Sequence, residues 1–422
     1  MPPSSPRCIA SLAIAGLIAV ATSCSTDTAS PSSTLPATTT SIARSDDGVL
    51  RIGVLKPQGS ANADIGQAIG TAVELAVNKI NSAGGYGGHN VELVPEDEGV
   101  AGVGIDPAIA TLLSRNVDAI IGPASSANAL AGLGEIVDAG VVACSPTASA
   151  SLLDDFPDHN LFFRTIPSDS LQAIAIAQAV DRTGASRAVV AYIDDAYGQS
   201  FADSVQAALE QLDIQVTQAV AYSADNQSID IAAKKVADTS DGVVVVIGDA
   251  TSGPVMLGRI DAEAEPARPS YVVNDAMRRP TASAEPMGSS LASRVHGISP
   301  MAYSTDQTFL TELGATPADP SPYAANAFDC VNLIALAALA GQSTQPAVIA
   351  GLIPAVSDSG SPCMTFASCR DGIAGGSNIN YDGPGGPLAI GSNGDLSAAT
   401  FELFGFDETG RDVNDGTVNA HV

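Results

Sequence analysis

Along most of the chain, apolar residues fall into short runs separated by polar or glycine-rich breaks. Leu50 to Leu55 reads as a strand. After a polar loop, Lys56 to Gly66, the positions Ile69, Ala72, Val73, Ala76, Val77 and Ile80 recur at helical spacing and form one apolar face. Asn81-Ser82-Ala83-Gly84-Gly85 stops that helix, because glycine accepts the left-handed backbone that closes a helix end. Val91 to Val94 gives a second strand with Asp97 and Glu98 at its end, and Ala108 to Leu113 a second helix. One event then occurs twice. The strand Ala119 to Ile121 runs into Gly122-Pro123-Ala124-Ser125-Ser126, and the strand Val141 to Ala143 runs into Ser145-Pro146-Thr147-Ala148-Ser149. Alternating units of this length predict an α/β fold, a parallel sheet with helices on both faces.

The alternation breaks at Leu161-Phe162-Phe163-Arg164-Thr165-Ile166-Pro167-Ser168-Asp169 and then resumes. Helices are predicted over Leu171–Arg182, Ser200–Leu212, Ile229–Ala237 and near Val255–Ala262. Strands are predicted over Ala188–Ile193, Ile214–Ala221, Val243–Ile247 and Tyr271–Val273. Val243 to Ile247 is wholly β-branched, as suits a strand buried on both faces. Two similar α/β halves in series suggest two lobes. Further on, Tyr323 to Ala340 is an Ala/Leu-rich helix expected to be mostly buried. Gly383-Pro384-Gly385-Gly386-Pro387 is a tight turn, and short β segments lie near Leu388 and at Thr400 to Phe406. Residues 412–422 are expected to be a flexible tail.

At 422 residues the chain is long enough for two domains, and its formal net charge of −28 argues against nucleic acid and against an anionic membrane surface as partners. The N-terminus changes the picture. Arg7 precedes an apolar run, Ile9 to Val20, of signal-peptide length. Residues 1–23 are therefore expected to be a signal peptide. Ala21-Thr22-Ser23-Cys24 resembles a bacterial lipobox, with Ala21 where Leu is usual, so Cys24 is expected to carry lipid; cleavage nearby without lipid is the alternative. Residues 24–48, rich in Ser, Thr and Pro, would form a flexible tether. Four cysteines remain in the folded part. Cys363 and Cys369 close a short loop and are expected to pair, which leaves Cys144 with Cys330. Zinc is the rival reading, but no His lies near either pair and no CxxC occurs, so no metal is expected.

The two hydroxyl-rich turns are the candidate chemistry. Ends of parallel strands lie side by side, so both turns would open on one edge, where free N–H groups and hydroxyls suit an anion. The same serines would serve equally well as plain N-caps. No GxSxG, HExxH, P-loop or EF-hand loop occurs, and the four His are scattered. Those absences point away from an enzyme and towards a binding function, with no cofactor.

The run AVNKINSAGGYGGHNVELVPED resembles the opening of type I periplasmic binding proteins, the branch related to branched-chain amino acid-binding proteins of ABC importers. IIGPASS, CSPTAS, FFRTIPSD, YIDDAYGQSFADS, SPYAANAFDCVNLIALAAL and INYDGPGGPL follow in family order. The resemblance implies two Rossmann-like lobes joined by three crossovers, with the ligand between them. Lobe 1 would cover 49–165 and 297–390, and lobe 2 would cover 166–296 and 391–411. It also implies an amino-acid-like ligand whose carboxylate meets Ser125, Ser126, Ala148 and Ser149. Tyr197 would close over that ligand, and Asp275 would hold its ammonium. Asp249 stands where relatives often present an aromatic or small residue, and is a further candidate. The implied partners are an ABC permease and ATPase, and the implied location is the outer face of the cytoplasmic membrane, as a monomer held through its lipid. A sensor presenting ligand to a membrane receptor is the alternative.

Overall fold

A computed structural model of the chain describes residues 46–58, 63–100, 103–240, 242–279, 286–316 and 321–422. The expected signal peptide, Cys24 and nearly all of the expected tether lie outside the described residues. The first part of the chain forms β1 (Arg51–Lys56), α1 (Ala63–Ser82), β2 (Glu92–Asp97), α2 (Asp106–Ser114), β3 (Ala119–Ile121), α3 (Ser126–Asp138), β4 (Val142–Ser145) and β5 (Phe162–Arg164). The next part forms α4 (Asp169–Arg182), β6 (Arg187–Ile193), α5 (Ala196–Gln211), β7 (Gln215–Tyr222), α6 (Asn226–Thr239), β8 (Val243–Ile247), α7 (Ser252–Glu263), β9 (Ser270–Val273), α8 (Ser289–Ala292) and β10 (Val295–Pro300). Last come α9 (Gln307–Leu313), α10 (Ala324–Gly341), α11 (Pro346–Ser357), β11 (Ser361–Cys363), α12 (Phe366–Ala374), β12 (Ile379–Tyr381), β13 (Ala398–Phe406) and β14 (Asp412–His421).

Two large sheets result. The first is all parallel, in the order β2-β1-β3-β4-β5. The second runs β14-β13-β10-β9-β8-β6-β7, parallel except for the β13 and β14 hairpin at one edge. The chain passes from one sheet to the other after β5, returns after β10 to place α9–α12 on the first lobe, and passes again to β13. β8 is buried along its whole length, as its β-branched composition demands.

The first lobe is organised around α10. This helix is buried from Ala324 to Ala338, and by length and composition alone it would pass for a membrane span, yet it lies inside the lobe against α1 and α11. Cys330 on α10 is bonded to Cys144 on β4, and Cys363 is bonded to Cys369. The first bond ties a helix to a strand 186 residues away in sequence, so it closes a long loop and restricts the unfolded chain.

Three expectations change. The alternation does not break at Leu161: Phe162–Arg164 is β5, the edge of the first sheet. β10 continues to Pro300 within the second sheet, past the expected lobe boundary at 296. Residues 412–422 do not fray: Asp412–His421 is β14, paired with β13 and burying Val418 and Ala420.

The crossovers are pinned by Arg164, whose side chain has no exposure. Its Nε donates to Asp395 (2.6 Å), Nη2 to Asp154 (2.6 Å) and Nη1 to the Ala150 carbonyl (3.1 Å). Thr165 and Asn326 exchange side-chain-to-backbone bonds of 2.9 and 2.7 Å, which fix the same crossover to α10. Removing one partner of such a buried pair strands the remaining charges. Arg164→Ala is therefore expected to lower stability by about 3–5 kcal/mol, measured by denaturant unfolding against the parent protein.

Candidate functional site

Both hydroxyl-rich turns leave the same edge of the first sheet. After β3 the chain turns at Gly122, whose φ is +112° and where a Cβ would lie 2.6 Å from the Leu55 carbonyl oxygen. Only glycine meets both demands. Ser125 then caps α3, accepting from the Asn128 N–H at 3.0 Å. Ser126, the first residue of α3, accepts from the Ala150 N–H at 3.2 Å and so joins the first turn to the second. Ser145 donates to the Pro123 carbonyl (2.7 Å), and Thr147 donates to the Ala124 carbonyl (2.6 Å). The two turns form one bonded wall.

A pocket of about 230 Å³ opens on that wall. Ser125, Ser126, Thr147 and Ser149 face it from the first lobe, Asp275 and Pro300 from the second, and Tyr323 from the head of α10. Among the described residues that line it, the only charged ones are Glu98 and Asp275.

Three carboxyl groups gather here. Glu98, almost fully enclosed, accepts from the Ala124 N–H at 2.6 Å and the Ser125 N–H at 3.2 Å. Burial raises its pKa to about 7, against the pull of those bonds. Asp275 follows β9; Gln172 donates to it at 3.1 Å, and burial raises its pKa. Asp169, at the start of α4, is pushed to about 7 by burial and by the nearby Asp275 charge, while the Ser149 hydroxyl bonds to it and pulls the other way. Its Oδ2 is enclosed and has no hydrogen-bond partner. Tyr197, on α5, packs edge-on against Phe201 and accepts from Asn274 Nδ2 at 3.3 Å. Burial, then Asp169 and Asp275, raise its pKa far above the usual phenol value.

The structure brings Ser125, Ser126, Ser149 and Asp275 to one pocket and sets Tyr197 beside the Asp169 and Asp275 carboxyls. It does not bring Ala148 or Asp249 there. Ala148 is fully buried, and its N–H donates to Ser145 Oγ at 2.9 Å; its neighbour Thr147 faces the pocket instead. Asp249 folds back on its own chain, accepting from the Thr251 N–H at 2.7 Å and the Ser252 hydroxyl at 2.9 Å at the head of α7. The sequence did not single out Glu98 and Tyr323, which line the pocket, or Asp169, which lies beside Asp275. Glu98 carried a signal as an acid at a strand end, and Asp169 as the acid that ends the FFRTIPSD run.

The family model for periplasmic binding proteins matches residues 49–395. The chain belongs to this family. The binding protein is 29% identical over 373 residues to the chemotactic signal transduction system substrate-binding protein BasB of Halobacterium salinarum, with 82% of each chain covered. The branched-chain amino acid transporter substrate-binding protein LivJ of Streptococcus pneumoniae, solved with isoleucine, superposes with a TM-score of 0.62 at 19% identity, covering 89% of this chain and 100% of that one. A solute-binding protein of an R. palustris ABC transporter, solved with benzoate, gives 0.64 at 17% identity, covering 89% and 98%. These likenesses show the type I periplasmic binding protein fold, and the relatives are solute-binding proteins rather than enzymes.

The buried carboxyls also set a pH dependence. Burial raises Glu98 and Asp169 to about 7 and, against the bonds from Tyr381 and Gly385, the enclosed Asp329 of α10 to about 8. Each binds a proton more tightly folded than unfolded. Their stabilising contribution is full below the unfolded carboxyl pKa of about 4 and is lost as pH rises through 7–8. The ligand-free binding protein is expected to melt at a higher temperature at pH 5 than at pH 8, and Glu98→Gln to reduce that difference. Circular dichroism melting curves across this range check both.

Proposed function

We propose that the binding protein is an exported lipoprotein that captures a small solute, an amino acid or a related zwitterion or carboxylate, and delivers it to an ABC importer. The observation that carries this reading is one pocket with hydroxyls of two turns on one lobe and a carboxylate, Asp275, on the other. The hydroxyls of Ser126 and Ser149 receive the ligand's anionic end. Asp275 receives its cationic end, and Tyr197 closes over it. Each lobe satisfies a different end of the ligand, so binding itself favours the closed arrangement. A charge-assisted hydrogen bond contributes roughly 1.5–3 kcal/mol. Asp275→Ala is therefore expected to weaken an amine-bearing ligand at least about tenfold, read by isothermal titration with the molecule that native mass spectrometry releases from purified protein. Unchanged affinity in both Asp275→Ala and Ser126→Ala would place the site elsewhere.

Cys24 carries the lipid that holds the protein at the outer face of the cytoplasmic membrane. Cys24→Ala is expected to move it to the soluble fraction with its fold intact; a mutant still sedimenting with membranes after a salt wash would refute the anchor. The similarity to BasB favours a second reading, in which the bound form is presented to a membrane receptor. Deletion of the gene distinguishes the two: transport predicts lost uptake of the ligand, and sensing predicts uptake retained with the response lost.

A further inference from the structure

We propose that, among the amino acids and related solutes of that reading, the ligand is one of net positive charge, carrying an amine, guanidinium or quaternary ammonium group, rather than a neutral amino acid or a simple carboxylate. This rests on the reading of the pocket as a solute site and narrows its chemistry.

Charge at the pocket is one-sided. Glu98 and Asp275 line it, and Asp169 lies beside Asp275 and Ser149 with one carboxylate oxygen enclosed and unpartnered. Two cations act on these acids, and both are already matched. Arg278 donates to Asp412 and Glu402, each at 2.9 Å, and Arg164 donates to Asp154 and Asp395, each at 2.6 Å. Each arginine is bonded to two carboxylates of its own, so its pull on Asp169 or Asp275 is shared with them. Other groups that face the acids are Tyr197 from α5, Tyr323 before α10, Gln172 from α4, Ser149, Asn128 from α3, and the carboxylates of Asp97 and Asp154. None of them is cationic.

The seat for a ligand carboxylate is also partly filled from within. The Ala124 and Ser125 N–H groups of the first turn already hold the Glu98 carboxylate, and the Ala148 N–H of the second holds Ser145. A ligand carboxylate would find hydroxyls there, but it would sit beside Glu98. A positive group is favoured by all three acids at once. Desolvated like charges disfavour ionisation, so the empty site retains protons that an incoming cation displaces to solvent.

Titration calorimetry of the full protein, stripped of bound solute, at pH 7.5 tests this with arginine, agmatine, putrescine and choline against leucine, isoleucine and benzoate. At least one cation is expected to bind ten-fold or more tighter than every neutral or anionic compound, and to weaken as pH falls towards 6. Glu98→Gln is expected to narrow that preference, while Glu98→Asp, which keeps the charge, retains it; the pair separates charge from folding. Tighter binding of leucine, isoleucine or benzoate overturns the cation proposal and leaves the solute-binding reading standing. Binding of none of them, with no small molecule released from the purified protein, overturns both.

Discussion

A guanidinium sealed from water ties the first crossover to the last. Arg164 stands at the last position of the first sheet, where the chain leaves one lobe for the other. It binds Asp154 beyond the second turn, the Ala150 carbonyl within that region, and Asp395 on the final crossover. Ser168 and Ser170 add their hydroxyls to the same Asp154. Segments from three parts of the sequence thus meet on one cation. A buried charge is tolerated only when its partners are complete and well placed, which makes the geometry all-or-none. Ser149 and Asp169, bonded through backbone at 2.8 Å, inherit their positions from this knot.

The site follows from the same economy of polar groups. At the turns, Glu98 holds the N–H groups of Ala124 and Ser125, Ser125 that of Asn128, Ser145 that of Ala148 and Ser126 that of Ala150. The pocket adds hydroxyls and a group of crowded acids. The wall is bonded within itself, while Asp169 keeps one enclosed oxygen without a partner. Contrast within one small cavity, between a saturated surface and a charged one, gives the pocket its chemical direction.

Much of this was legible in the sequence. β8 announced itself by five consecutive β-branched residues, α10 by its length and composition, and the paired turns by repetition. The bonded cysteines were legible from spacing and count. β10 was not, because Gly297, Ser299 and Pro300 look like a loop. Gly297 is required by a distant partner: the Phe404 ring of β13 occupies the space a Cβ would need. β14 was hidden because an edge strand buries one face only, leaving most of its residues polar. Asp249 looked available because a sequence does not show a carboxylate folding back on its own helix. Glu98 reaches the first turn although β1 lies between β2 and β3 in the sheet, a neighbourhood that chain order does not show. The one-residue difference between Ala148 and Thr147 reflects which of two neighbours faces outward, a matter of backbone direction that pattern alone does not fix.

The C-terminal hairpin has a bearing on how the molecule is assembled. β13 pairs with β10, and β14 covers β13, while Glu402 and Asp412 on this hairpin clamp Arg278, three residues past Asp275. The first lobe, too, waits for α10 and β12 before its core is closed. Neither lobe is therefore a contiguous stretch that can finish early. During synthesis, from the N-terminus onward, the second sheet must persist with β10 as an open edge until β13 and β14 emerge, while the complete first sheet waits for α10 to cover it. Such an order makes late folding nearly simultaneous in both lobes, and couples the birth of the binding cleft to arrival of the last strand.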